Sequence, residues 1–121
     1  MQKPFSIKTR IKSFRFAING LKHIILNEHN FRIHLFAALV VTALGFYLQI
    51  TSADWLWLIA AIGFVMVTEI INSAIENLVD LVSPEKQKTA GLIKDMAAAA
   101  VLIASITAAI IGVLTFYPLI F

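Results

Sequence analysis

Cysteine is absent from the 121 residues, so neither a disulfide framework nor thiolate chemistry is open to this chain. Charge is scarce: 14% of residues are Asp, Glu, Lys or Arg, against about 25% in soluble domains. No G-x-x-x-x-G-K-[ST] or G-x-G-x-x-G stretch occurs, so any nucleotide site must be built without a phosphate loop. There is no internal repeat, low-complexity tract or long linker. His23, His29 and His34 are spaced unlike any standard zinc site. What is abundant is apolar: 60% of residues are hydrophobic and the mean hydropathy is +0.86. These values exclude an ordinary soluble domain and imply one integral-membrane domain spanning 1–121. Residues 5–26 interleave charge with apolar side chains, so a cleaved signal peptide is not expected.

Ile7, Ile11, Phe14, Ile18, Leu21 and Ile25 recur at helical spacing over residues 7–26, with Lys8, Lys12, Arg15, Asn19 and Lys22 on the other side. A basic amphipathic helix of this kind lies in the membrane interface, held by anionic headgroups. A first span is expected at about 31–50, with Arg32 and His34 snorkelling to the headgroups at its start. Thr51-Ser52-Ala53-Asp54 reads as a turn. A second span follows at about 55–82, opened by Trp55 and Trp57 as an aromatic belt. Residues 83–91 read as a polar loop broken by Pro84 and Gly91, and a third span is expected at about 95–116, with Pro118 near its end. The fold class is therefore all-α: three transmembrane helices plus an N-terminal amphipathic surface helix.

All ten Lys and Arg lie before the first span, at its start, or between the second and third spans up to Lys94. By the positive-inside rule the N-terminus and the 83–94 segment are cytoplasmic and the C-terminus is outside.

Trp55 to Val67 carry no charge, and then a polar stripe begins. Glu69, Asn72, Ser73, Glu76 and Asp80 fall within roughly a quarter of a helix circumference. Ionisable groups in an apolar helix mark function more often than packing. Counting about 1.5 Å per residue from Trp55, Glu69 lies roughly 21 Å in and Glu76 roughly 31 Å. The hydrocarbon core is about 30 Å thick. Glu69 is thus below the cytoplasmic surface, Glu76 at it, and Asp80 in water. One stripe can meet a lipid headgroup at its deep end and a soluble nucleotide or cation at the other. Glu28 lies on the same side and could share a cation with Glu76. Ala100, Ala104, Ala108 and Gly112 form a small-residue ridge suited to close helix packing, and oligomerisation is the natural way to bury the stripe. Lys94-Asp95 opens the third helix, with Asp95 meeting the helix dipole.

Glu69-Ile70-Ile71-Asn72-Ser73-Ala74-Ile75-Glu76-Asn77-Leu78-Val79-Asp80, Lys94-Asp95-Met96-Ala97-Ala98-Ala99-Ala100-Val101-Leu102, and Asn27-Glu28 followed by Phe31-Arg32 together resemble the small bacterial integral-membrane lipid kinases, the diacylglycerol kinase and undecaprenol kinase family. The resemblance covers nearly the whole chain. It implies an inner-membrane homotrimer with sites shared between neighbours, MgATP as phosphoryl donor, a membrane lipid as acceptor, and no nucleic-acid partner. It implies Glu69 as catalytic base, Glu28 and Glu76 as holders of Mg²⁺, and Asn72, Lys94 and Asp95 as the rest of the polar site. Glu85, Lys86 and Gln87 match a nucleotide-contacting segment by position. Thr9 stands where the family has a basic contact from the surface helix. His34 and Ala98 stand where diacylglycerol-type members carry Glu and Ser, so undecaprenol is the expected acceptor, with diacylglycerol the alternative. The competing class is a small proton-coupled transporter, which needs neither Glu28 nor a stripe reaching water.

Overall fold

A computed structural model describes residues 3–121 as four helices: α1 (Ile7–Asn27), α2 (His29–Tyr47), α3 (Ser52–Val82) and α4 (Lys88–Ile120), with no strand among the described residues. Three of them, α2, α3 and α4, are long and apolar enough to cross a membrane. At about 1.5 Å per residue, α3 runs roughly 46 Å and outlasts a hydrocarbon core of about 30 Å.

The helix starts follow from local chemistry. Ser6 caps α1 by accepting the Thr9 N–H. Thr51 caps α3 by accepting the Asp54 N–H, and Asp54 puts a negative charge in that first turn. The whole of α1 from Ile7 to His23 is exposed, its apolar side covered by nothing in the chain, as an interfacial helix requires. Ile24 is its one buried residue.

The turn between the first two spans lies earlier than residues 51–54. α2 closes at Tyr47, and Gln49 adopts a left-handed φ of 53°. The Gln49 N–H donates to Phe46 O and the Ile50 N–H to Gly45 O, the paired bonds of a Schellman closure. Gly45 has no side chain because a Cβ there would lie 2.8 Å from Trp55 Cη2. Thr51 and Ser52 already belong to the cap and first turn of α3.

The start of α4 also differs from expectation. It begins at Lys88, so Gly91 lies inside the helix rather than breaking it, and Asp95 sits about two turns in, away from the N-terminal dipole. A glycine in a helix interior costs only about 1 kcal/mol, which does not stop propagation. Pro118 also lies inside α4. Only Leu119 and Ile120 of the helix lie beyond it, so the kink a proline brings affects little of α4.

α3 packs mainly against α4 and less against α2, and α1 packs chiefly against α2. A small core of Ile50, Leu58 and Phe116, with Val41, Leu44, Leu48, Trp55 and Ile62 around it, closes the end of the bundle near the α2–α3 turn. Phe46 and Trp55 stack there at 4.7 Å. Ala104 is fully buried, so this part of the small-residue ridge serves packing within the chain. A Cβ added at Gly112 would meet nothing within 4 Å, so the ridge does not close on a neighbour there.

Candidate active site

The single run of α3 from Ser52 to Val82 keeps the polar stripe in helical register. Glu69, Asn72 and Ser73 are buried, Glu76 is half-buried and Asp80 is exposed, a gradient along one helix face. Glu69 is only 3% exposed. Asn72 Nδ2 donates to Glu76 Oε1 at 3.3 Å, one turn further on. Asn72 Oδ1 is buried and accepts no hydrogen bond among the described residues. A buried amide oxygen left without a donor is rare, and it suits a position completed by a ligand.

Two other elements supply side chains. Glu28 occupies the break between α1 and α2, in an extended conformation, with its carboxylate uncommitted to capping. The corner brings Glu28, and the shared face of α3 brings Glu76, within electrostatic reach of Glu69. His34, one and a half turns into α2, does not snorkel outward. Its Nε2 lies 3.0 Å from Glu69 Oε1. The sequence signal for this was available only in part: a histidine near the start of a span gives no hint of which helix it will face. Arg32 is exposed, and its Nη2 lies 2.7 Å from His29 Nδ1.

Lys94 of α4 donates to Asp80 Oδ1 at 2.5 Å, joining the outer end of the stripe to α4. A hollow of about 450 Å³ lies beside this pair, edged by Ser83, Glu85, Lys86, Gln87 and Lys88. The chain thus groups its polar residues in two places. Glu69, Asn72 and Glu76 gather with His34 in the more buried part of the stripe, and Asp80, Lys94 and the 85–87 segment gather at its exposed end. Asp95 is exposed and makes no hydrogen bond or ion pair among the described residues. Thr9 takes part only in helix capping and back-bonding, its N–H to Ser6 and its carbonyl to Ser13.

An apolar groove of about 540 Å³ runs between α2, α3 and α4. It begins at His34, passes Ala38, Met66, Val65, Ala108 and Gly112, and reaches Phe116 and Tyr117. Its lining is mostly hydrocarbon, with the hydroxyl-bearing Ser105 and Tyr117 its polar residues beyond His34.

No three His, Asp or Glu side chains among the described residues converge as a ready-made cation cage. This donor set fits magnesium in the manner of phosphoryl-transfer sites, where one or two carboxylates suffice and phosphate oxygens and water complete the octahedron. Glu28, Glu76 and the free Asn72 oxygen are all hard oxygen donors.

Residues 15–116 match the prokaryotic diacylglycerol kinase family. The chain is 36% identical over 107 residues to undecaprenol kinase of Bacillus subtilis, which covers 88% of this chain and 87% of that one. It is 38% identical over 100 residues to diacylglycerol kinase of Escherichia coli K12, covering 83% and 82% respectively. It is 34% identical over 104 residues to diacylglycerol kinase of Haemophilus influenzae, covering 86% and 88%. The chain belongs to the prokaryotic diacylglycerol kinase family: it is an integral-membrane, ATP-dependent lipid kinase. Relatives named for either acceptor lipid are similar to it at nearly equal identity.

Proposed function

We propose that this kinase transfers the γ-phosphate of MgATP to the hydroxyl of a membrane lipid, undecaprenol in preference to diacylglycerol. The observation that carries the proposal is the position of Glu69, a buried carboxylate beside the polar head of an apolar groove, on a helix face that continues outward to Glu76 and Asp80. The hydroxyl oxygen attacks the γ-phosphorus. A lipid O–P bond forms, the bond from phosphorus to the ADP oxygen breaks, and Glu69 takes the hydroxyl proton. Phosphoryl transfer depends chiefly on positioning and charge neutralisation. Glu28 and Glu76 would hold Mg²⁺, which supplies charge neutralisation at the phosphates when bound. Lys94, held by Asp80, balances negative charge on the nucleotide. Glu85, Lys86 and Gln87 edge the hollow beside it and serve as nucleotide contacts, with Asn72 and Asp95 completing the polar surface.

The preference for undecaprenol rests on the groove. A diacylglycerol brings two ester carbonyls that want hydrogen-bond donors, and beyond His34 the mostly apolar lining offers only the hydroxyls of Ser105 and Tyr117. A polyprenol brings one hydroxyl and an otherwise apolar chain. The enzyme works as a homotrimer in the bacterial inner membrane, with its sites shared between neighbours and facing the cytoplasm. Large side chains such as Phe64, Val67, Ile70 and Ile71 stand exposed on α3, available to adjoining subunits or lipid.

The test offers purified protein labelled ATP with undecaprenol or diacylglycerol, with and without a magnesium chelator. Metal-dependent labelling of both lipids, faster for undecaprenol, is expected. Faster labelling of diacylglycerol overturns the acceptor preference, and labelling of neither overturns the reading.

A further inference from the structure

Among the described residues Glu69 has one side-chain partner, and it comes from another helix: His34 of α2, with Nε2 3.0 Å from Oε1. An ionised carboxylate has no proton to give, so the imidazole donates through Nε2–H. The bond occupies one carboxylate oxygen and fixes the plane of the group. A lone glutamate on a helix samples several rotamers, and proton transfer falls off when the acceptor is not held in line with its donor. His34 has a second attribute: it is the polar end of the apolar groove. Its side chain is 26% exposed where that of Glu69 is 4%. The residue that grips the carboxylate therefore also stands where a lipid hydroxyl must arrive.

We propose that His34 is the positioning residue for the phosphorylated hydroxyl: its Nε2–H holds Glu69 Oε1 so that Oε2 faces the head of the groove. The inference rests on Glu69 as the base. No other donor among the described residues does this work. Asn72 spends its N–H on Glu76, and its free Oδ1 is an acceptor, which an ionised carboxylate cannot use.

His34→Leu removes the donor and keeps the bulk. His34→Gln carries an amide N–H at nearly the reach of Nε2 and so keeps the donor. Both are measured for kcat, KM for lipid, KM for MgATP and thermal stability in detergent, alone and in a Glu69→Gln background. Losing a charge-assisted hydrogen bond predicts a fall in kcat of about 10- to 100-fold for His34→Leu, with the KM for MgATP unchanged. His34→Gln recovers most of that loss. In the Glu69→Gln background His34→Leu adds no further loss, since the two side chains act as a unit. If His34→Leu turns over at the parental rate while Glu69→Gln is inactive, the positioning role is overturned and the base stands. If Glu69→Gln itself turns over at the parental rate, the base is what fails. A loss in His34→Leu that tracks its stability, and that His34→Gln does not restore, assigns His34 to packing alone and also overturns the inference.

Discussion

Ala104→Leu tests how α4 sits on α3. Ala104 is 0% exposed, and α3 is the main packing partner of α4. Leucine adds three carbons at a point with no free surface, so the two longest helices must part or the side chain must take a strained rotamer. Overpacking of this kind costs about 1–3 kcal/mol. Ala108→Leu is the matched control. Ala108 is half-buried and lines the groove of about 540 Å³, which has room for the added side chain. Both proteins are unfolded thermally and by denaturing detergent, and assayed for lipid phosphorylation. Ala104→Leu should lose stability by the stated amount. Ala108→Leu should keep its stability and raise the KM for lipid several-fold by filling the groove. The reasoning is refuted if Ala104→Leu is as stable as the parent, or if it dissociates the assembly while each subunit keeps its stability. The second result places the ridge between subunits.

Glu76→Gln keeps the shape of the side chain and loses its charge, so it should abolish turnover by weakening MgATP binding; equal nucleotide affinity in titration would count against the metal role. Gly45→Ala drives a methyl to 2.8 Å from Trp55 Cη2 and 3.1 Å from Ile50 Cδ1, and should lower stability in detergent by about 1–3 kcal/mol with the KM values unmoved. Asp80→Asn should change stability by less than about 1 kcal/mol, because the pair it breaks is largely exposed. The same substitution should raise the KM for ATP by freeing Lys94, which initial-rate kinetics would detect.

The stripe on α3 was legible because a helix repeats every 3.6 residues and five polar side chains broke an otherwise apolar run on one face. The three apolar helices and the amphipathic α1 were legible for the same reason. The connections were less so. Gly91 read as a breaker and the third span as ending near 116, yet neighbouring good helix formers carried α4 past both points. The α2–α3 turn fell on Leu48, Gln49 and Ile50, none of them a usual turn residue. It is fixed by the Schellman bonds and by the fit of Trp55 against Gly45, which are tertiary facts. The pairings His34–Glu69 and Asp80–Lys94 depend on how neighbouring helices rotate, which periodicity within one helix cannot specify. For the same reason the small-residue ridge could be seen, but not which surface it would meet.

The central claim is that Glu69 removes the proton from the lipid hydroxyl, and Glu69→Gln tests it most directly. Glutamine is isosteric and removes a buried charge, so the fold should persist. Glu76 lies seven residues further along α3, about 10 Å, so MgATP binding should persist as well. The measurement is single-turnover phosphorylation of the acceptor lipid at saturating MgATP, with nucleotide affinity measured on the same sample. The account predicts unchanged affinity and a rate lower by about 10²- to 10⁴-fold. A Glu69→Gln protein that phosphorylates its lipid at the parental rate would contradict it.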